Sequence, residues 1–256
     1  MVNGLTKGNG IKTARVRFGH LIPDAQPVDV YAYLPQYKSL GEVPINTDLK
    51  YGSIRPNIPA EYADIPAITL GIKITPAGEK DNPIIEIKRQ KFKAGRNYTL
   101  LAVGEAKSEG YDEPPVQALP LVDNEGEKGP SYGRNQLPAP DETKVRFVHA
   151  LPDAGPVKIT AGGETNLDGS MSGGETLVEE ATFGDSTDYL EVDPEKTITI
   201  KEYGEAVATV TGDYRPGTKY TVYLVSQQPE PGGLKPFALA SVDAVARADL
   251  DVQPSD

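Results

Sequence analysis

The chain of 256 residues has no cysteine and only two histidines, His20 and His149. Without thiols it has no disulfide framework, no thiolate nucleophile and no zinc–thiolate site. Cysteine usage therefore neither supports nor excludes secretion. No apolar run approaches the roughly 18 residues that a membrane-spanning helix needs. The opening MVNGLTKGNGIKT lacks the charged, apolar and small-residue sections of a secretory signal, which fits a cytoplasmic protein or a mature fragment behind an added start methionine. An excess of positive charge is missing too. Residues 1–135 carry 17 Lys+Arg against 16 Asp+Glu and residues 136–256 carry 9 against 21, for a net charge of −11. Sequence-independent nucleic-acid binding needs a dominant basic face, so nucleic acid is not an expected partner. A P-loop, a dinucleotide fingerprint and an EF-hand loop are absent as well.

What the chain has in abundance is 26 Gly and 23 Pro, the punctuation of many turns and few long helices. It also contains a repeat. VRFGHLIPDAQPVDV from Val16 returns as VRFVHALPDAGPVKI from Val145, FKAGRNYTLLAVGE from Phe92 as YRPGTKYTVYLVSQ from Tyr214, and VQALPLVD from Val116 as PFALASVD from Pro236. YGSIRPNIPAEYADIPAITLGIKITPAGE from Tyr51 answers FGDSTDYLEVDPEKTITIKEYGE from Phe183 once an insertion is allowed in the first copy. Order and spacing are kept, so a whole domain is duplicated. The expected limits are 13–123 for the first repeat and 143–243 for the second. A linker rich in Gly, Pro and charge occupies 124–142, and an acidic tail 244–256.

Within each repeat the period is two. Val16, Phe18 and His20 alternate with Arg15, Arg17 and Gly19, and Val145, Phe147 and His149 with Lys144, Arg146 and Val148. That predicts strands with one face buried and the other, carrying the arginines, wet. Short apolar runs such as VDVYAYL, AITLGIKI and YTVYLVS lie between Pro, Gly, Asp and Asn clusters. The fold class is therefore all-β, two tandem immunoglobulin-like β-sandwich domains. In KAGRNYTLLAV and RPGTKYTVYLV a Gly turn comes three residues before a Tyr that opens a strand. Tyr98 and Tyr220 are the candidates for a tyrosine corner, with the hydroxyl bonded back to the backbone of the preceding turn.

These residues carry a family resemblance. His-x-x-Pro-Asp-Ala-x-x-Val, a Phe/Tyr-Gly step, an acidic YLEV-like segment, a GxxYTV-like strand and a closing VD resemble the bacterial and archaeal domain of unknown function 4397 family. His149, Pro152 and Asp153 with Ala154 match closely, and His20, Pro23 and Asp24 mark the first copy. The resemblance implies tandem immunoglobulin-like sandwiches and an extracellular or cell-surface location, with any signal peptide removed. It implies no biochemical activity. The first copy departs from the pattern in QYKSLGEVPINTDLK, which lengthens one connection, and in its Pro-rich insertion.

The chemistry is read mainly from the histidines. Each shares an inward strand face with Val and Phe and precedes an Asp by four residues. An imidazole there can fix the strand exit by bonding a turn carbonyl or the Asp carboxylate. One His and one Asp fall short of a metal site, so no metal, cofactor or catalytic residue is assigned. The pairs Asp185/Asp188 and Asp249/Asp251 leave loop calcium open without a motif. GSMSG misses the nucleophile elbow, and NLDGS from Asn166 reads as a hairpin turn. KRQKFK from Lys88 is the one basic run, a solvated segment or a patch for an anionic partner. NYT at Asn97 fits a glycosylation sequon but directly precedes the corner Tyr.

The leading expectation is a non-enzymatic, extracytoplasmic structural or adhesive protein that self-associates or binds a surface protein. The alternative is a recognition module, most plausibly for surface polysaccharide, with Tyr37 and Tyr51 available to stack on sugars. A hydrolase using His20 or His149 ranks last. It calls for a further polar residue shared by the two copies at corresponding loop positions, and none is compelling.

Overall fold

The computed structural model describes residues 12–56, 61–106, 115–123, 138–139, 141–152, 154–165, 171–211, 214–227 and 235–245. The chain divides into two compact units. One is Met1–Asn135 with Ala150–Asp153 and Val225–Pro236, and the other is Gln136–His149, Ala154–Leu224 and Phe237–Asp256. Most of the expected linker and tail, the insertion at 57–60, the turn at 166–170 and Asp153 lie outside the described residues.

The first repeat contributes β1 (Thr13–Leu21), β2 (Val28–Tyr33), β3 (Glu42–Leu49), β4 (Ser53–Arg55), β5 (Ala63–Pro66), β6 (Thr69–Pro76), β7 (Ile85–Lys91), β8 (Asn97–Val103) and β9 (Gln117–Val122). One sheet runs β4–β1–β8–β9, with β5 also paired to β1, and the other runs β3–β2–β6–β7. A 3-10 turn, Lys38–Leu40, sits between β2 and β3.

The second repeat contributes β10 (Thr143–His149), β11 (Val157–Ala161), β12 (Glu164–Thr165), β13 (Met171–Ser172), β14 (Glu175–Ala181), β15 (Leu190–Glu191), β16 (Ile198–Glu202), β17 (Glu205–Val210), β18 (Thr218–Ser226) and β19 (Pro236–Val245). Its sheets run β15–β10–β18–β19 and β14–β11–β16–β17, and β12 and β13 form a small extra pair. Among the described residues no helix is long and apolar enough to cross a membrane.

Two sheets face each other in each repeat, as the alternating pattern requires. In the first, the facing side chains include Val16, Phe18, Val30, Ile72, Leu100 and Ala102, all at most 2% exposed. At the centre of each sandwich the pairing is parallel. β1 runs alongside β8 with Val16 opposite Tyr98, and β10 alongside β18 with Val145 opposite Tyr220. A parallel pair needs a crossover connection, and here the chain visits the opposite sheet twice between the two strands. The shared register places the same residue types side by side in both copies.

The wet strand face is corrected in part. Arg15 is exposed as expected, but Arg17 is 2% and Arg146 3% exposed, and every residue of β18 is buried. An arginine survives there only with partners for its charge and its N–H groups, and these partners form the site described next.

Candidate functional site

The polar residues singled out from the sequence sit at strand exits and corners. His20 is fully buried. Its Nε2 lies 3.2 Å from the Gln26 carbonyl, and its Nδ1 accepts from the Ile22 N–H at 3.4 Å. A ring nitrogen facing a carbonyl must carry the proton, so Nε2 is the N–H and both nitrogens are engaged. Burial holds the imidazole down to about 4, against the pull of the Gln26 and Ala25 backbone and of Asp24. Of the two partners foreseen for the ring, the turn carbonyl takes it. The Asp24 carboxylate instead accepts from the Ala106 N–H at 2.8 Å. Pro23 is buried in the turn. Tyr51, read from sequence as a ring free to stack on sugars, is partly buried with its ring edge-on to His20 at 6.1 Å. Tyr37 is 57% exposed.

His149 repeats the main bond. Its Nε2 lies 3.2 Å from the Gly155 carbonyl, and burial lowers its pKa. Its Nδ1, however, has no hydrogen-bond partner among the described residues. The ring lines a void of about 10 Å³ with Phe147, Val157, Ile159, Val222 and Leu224. Pro152 is buried. Both rings are buried, and each directs its Nε2 at a backbone carbonyl of the turn that follows its strand.

The tyrosines act on the turn before them. The Lys93 N–H donates to the Tyr98 hydroxyl at 2.9 Å and the Arg215 N–H to the Tyr220 hydroxyl at 2.9 Å. Edge-on aromatic packing supports each, from Phe92 at 5.1 Å and from Tyr214 at 5.2 Å. Gly95 and Gly217 both have φ 74° in these turns, a left-handed conformation that glycine adopts without a Cβ penalty.

Sequence reasoning missed the largest constellation. In the first repeat Arg17 Nε donates to Thr99 Oγ1 at 2.7 Å, and Thr99 Oγ1 donates to Asp123 Oδ2 at 2.6 Å. The Tyr62 hydroxyl donates to the same carboxylate oxygen at 2.9 Å. The Arg17 guanidinium lies 3.9 Å from Asp123 and 4.8 Å above the Tyr62 ring. In the second repeat Arg146 Nη2 donates to Thr221 Oγ1 at 2.8 Å, Thr221 to Asp243 at 2.5 Å and Tyr189 to Asp243 at 2.7 Å. Arg146 stands 4.0 Å from Asp243 and 4.8 Å above the Tyr189 ring. Both aspartates are nearly sealed, at 4% and 3% exposed. Four polar residues are thus shared: the arginines, threonines and aspartates stand on or next to paired strands, and Tyr62 and Tyr189 directly precede β5 and β15. The available signal was the coincidence of Arg, Tyr, Thr and Asp at corresponding positions of the two repeats.

Neighbouring residues add to each cluster: Ser241 Oγ donates to Asp243 at 3.3 Å, Lys219 Nζ lies 4.7 Å from the Tyr189 ring centre and the Arg15 guanidinium 6.0 Å from that of Tyr62. Asp185, one of the calcium candidates, accepts from the Thr182 N–H and hydroxyl at 2.8 Å each. Asp249 and Asp251 lie outside the described residues. Among the described residues no group of three or more His, Asp or Glu is placed to hold a metal ion. The basic run stands on the edge strand β7, with Lys88, Arg89 and Lys91 exposed. Asn97 accepts from Arg15 Nε at 2.9 Å.

The family model described as Domain of unknown function (DUF4397) matches this chain twice, over residues 14–160 and 143–249. No curated protein matches it.

Proposed function

The chain belongs to the family described as Domain of unknown function (DUF4397), and from that premise we propose that it is a non-enzymatic, extracytoplasmic structural or adhesive protein. One observation carries the reading: the duplicated polar residues are spent on internal bonds. The histidines close strand exits, the tyrosines hold turns, and the Arg–Thr–Asp–Tyr clusters tie the last strand to the first. Residues shared by both copies thus serve a frame, and a frame repeated in tandem presents edge strands and loops at more than one place along a chain.

Light scattering of purified protein across concentration, salt and added calcium tests this, together with protease accessibility on intact cells. Growth into large species and surface cleavage are expected. A mass fixed at the 27.4 kDa of one chain, together with protection inside the cell, would overturn the proposal. So would turnover of a substrate abolished by His20→Gln and His149→Gln in protein that remains folded.

A further inference from the structure

The first sandwich contains an apolar space of about 450 Å³ between the ends of its two sheets. Its inner walls are Leu34, Ile45, Ile65 and Leu70, and its rim is Leu40, Val43 and Ile68. The walls reach nearly sealed residues, Ile65 at 2% and Leu70 at 7% exposed, whereas Leu40 is 73% and Ile68 41% exposed. The space is therefore a slot entering the core from solvent, in the size range of small-molecule sites. Among the described residues no side chain that lines it offers an uncommitted polar atom. The Tyr33 hydroxyl donates to Glu86 at 2.6 Å. The Tyr33 ring lies flat against Gly71, where any Cβ would collide with it, and so forms part of the wall. An occupant of the slot has to be apolar along its body.

The charge beside the mouth defines the other end of the ligand. Lys38 Nζ lies 5.4 Å from the Tyr33 ring centre, two residues before the rim residue Leu40. Lys73 and Lys80 flank Glu42 at 2.5 and 3.8 Å. Lys38, Lys73 and Lys88 also help to hold the Glu86 carboxyl below its usual range, after the Tyr33 hydrogen bond. Four lysines thus surround two carboxylates. Lys38 has no carboxylate within 4 Å among the described residues.

We propose that the first sandwich binds an amphipathic anion, seating a single apolar chain in this slot with its anionic head toward Lys38. The site rests on features of the first repeat. The lengthened connection supplies Leu40, Val43 and Ile45, whereas β14, which holds the equivalent edge in the second repeat, exposes Glu175, Glu179 and Glu180. The proposal stands apart from the structural role above, because a scaffold needs no ligand and a ligand site needs no assembly.

Calorimetric titration of the full chain compares dodecanoate, below its micelle concentration, with dodecyltrimethylammonium, which has the same chain and the opposite charge. One saturable dodecanoate site is expected, about tenfold tighter than the cation. Lys38→Glu should erase that preference while chain binding persists. Ile68→Asp and Leu40→Asp alter exposed rim positions, so the unfolding midpoint should hold while both ligands are lost. Absence of saturable binding, equal affinity for the two charges, or binding unaffected by Ile68→Asp would each overturn the proposal. So would an oligomer that Ile68→Asp converts to monomer without any dodecanoate site, because a second copy would then fill the slot.

Discussion

The two repeats keep one set of interactions and differ in another. The Arg–Thr–Asp–Tyr cluster recurs with the same residue pairings, with guanidinium to carboxylate distances of 3.9 and 4.0 Å and guanidinium to ring distances of 4.8 Å in both. The sheet edges, in contrast, do not match. In the first repeat Leu40, Val43 and Ile45 line an apolar slot of about 450 Å³, while β14 at the equivalent edge of the second exposes Glu175, Glu179 and Glu180. Buried charge has few solutions, because each oxygen and N–H needs a partner at fixed geometry. Apolar packing at a sheet edge has many solutions, so a longer connection can reshape a flank without touching the frame. Duplication followed by change has room in the second kind of contact and little in the first.

Breaking the shared frame should give the largest effect. Asp123→Ala in one repeat and Asp243→Ala in the other each strand a buried guanidinium, which costs about 3–5 kcal/mol. Denaturant unfolding should show a similar loss for either. Against a total stability of roughly 5–15 kcal/mol, each variant falls close to the folding threshold. Replacing both partners with apolar residues, Arg17→Met with Asp123→Leu, should recover most of the loss. If one aspartate proved dispensable, the equivalence of the two clusters would be lost.

That cluster also shows where the sequence stopped being legible. The two-sheet sandwich followed from period-two alternation, and Val16, Phe18 and His20 face inward as the pattern required. Tyr98 and Tyr220 were visible because a turn that needs φ near +74° leaves a glycine in the sequence. Arg17 was not visible. A lone arginine on the alternate face of a strand reads as solvated, and its burial depends on Thr99, Asp123 and Tyr62, all more than forty residues away. The parallel pairing of β1 with β8 was hidden as well, because side chains alternate in the same way in either strand direction. The slot was hidden for a third reason. It is a gap between edges, and no single residue type encodes a space left unfilled.

Acid should give the next largest effect. His20 is held down to about 4, whereas an unfolded histidine titrates near 6.5. Above pH 6.5 the neutral ring is present in both states and stability is full. As pH falls from 6.5 to about 4, the unfolded chain takes a proton that the folded chain declines, and stability drops by about 3 kcal/mol for this residue. His149 is shifted in the same direction, so the second repeat should also weaken as pH falls below 6.5. Unfolding free energies measured from pH 7 to pH 4 should fall, and His20→Gln should flatten the slope. A slope unchanged by that substitution would remove His20 as a source of acid sensitivity.

The corner tyrosines come third. Tyr98→Phe leaves the Lys93 N–H without its acceptor, and Tyr220→Phe does the same to Arg215. A loss of about 1–3 kcal/mol is expected for each by chemical denaturation, because the abandoned group sits in a partly buried turn. Equal losses would confirm that the two corners are interchangeable.

The smallest effect has the opposite sign and sharpens the comparison most. Phe92 and Tyr214 occupy corresponding positions, each edge-on to the corner tyrosine, yet only Tyr214 carries a hydroxyl. That hydroxyl is buried without a partner among the described residues, and burial pushes its pKa well above the usual range for a tyrosine. The first repeat shows that the ring alone suffices there. Tyr214→Phe should therefore stabilise the protein by about 1 kcal/mol, and Phe92→Tyr should cost a similar amount, both read from the denaturation midpoint. A loss of stability in Tyr214→Phe would mean that the hydroxyl has a bond the first repeat never needed. The second repeat would then have diverged in its core as well as at its edge.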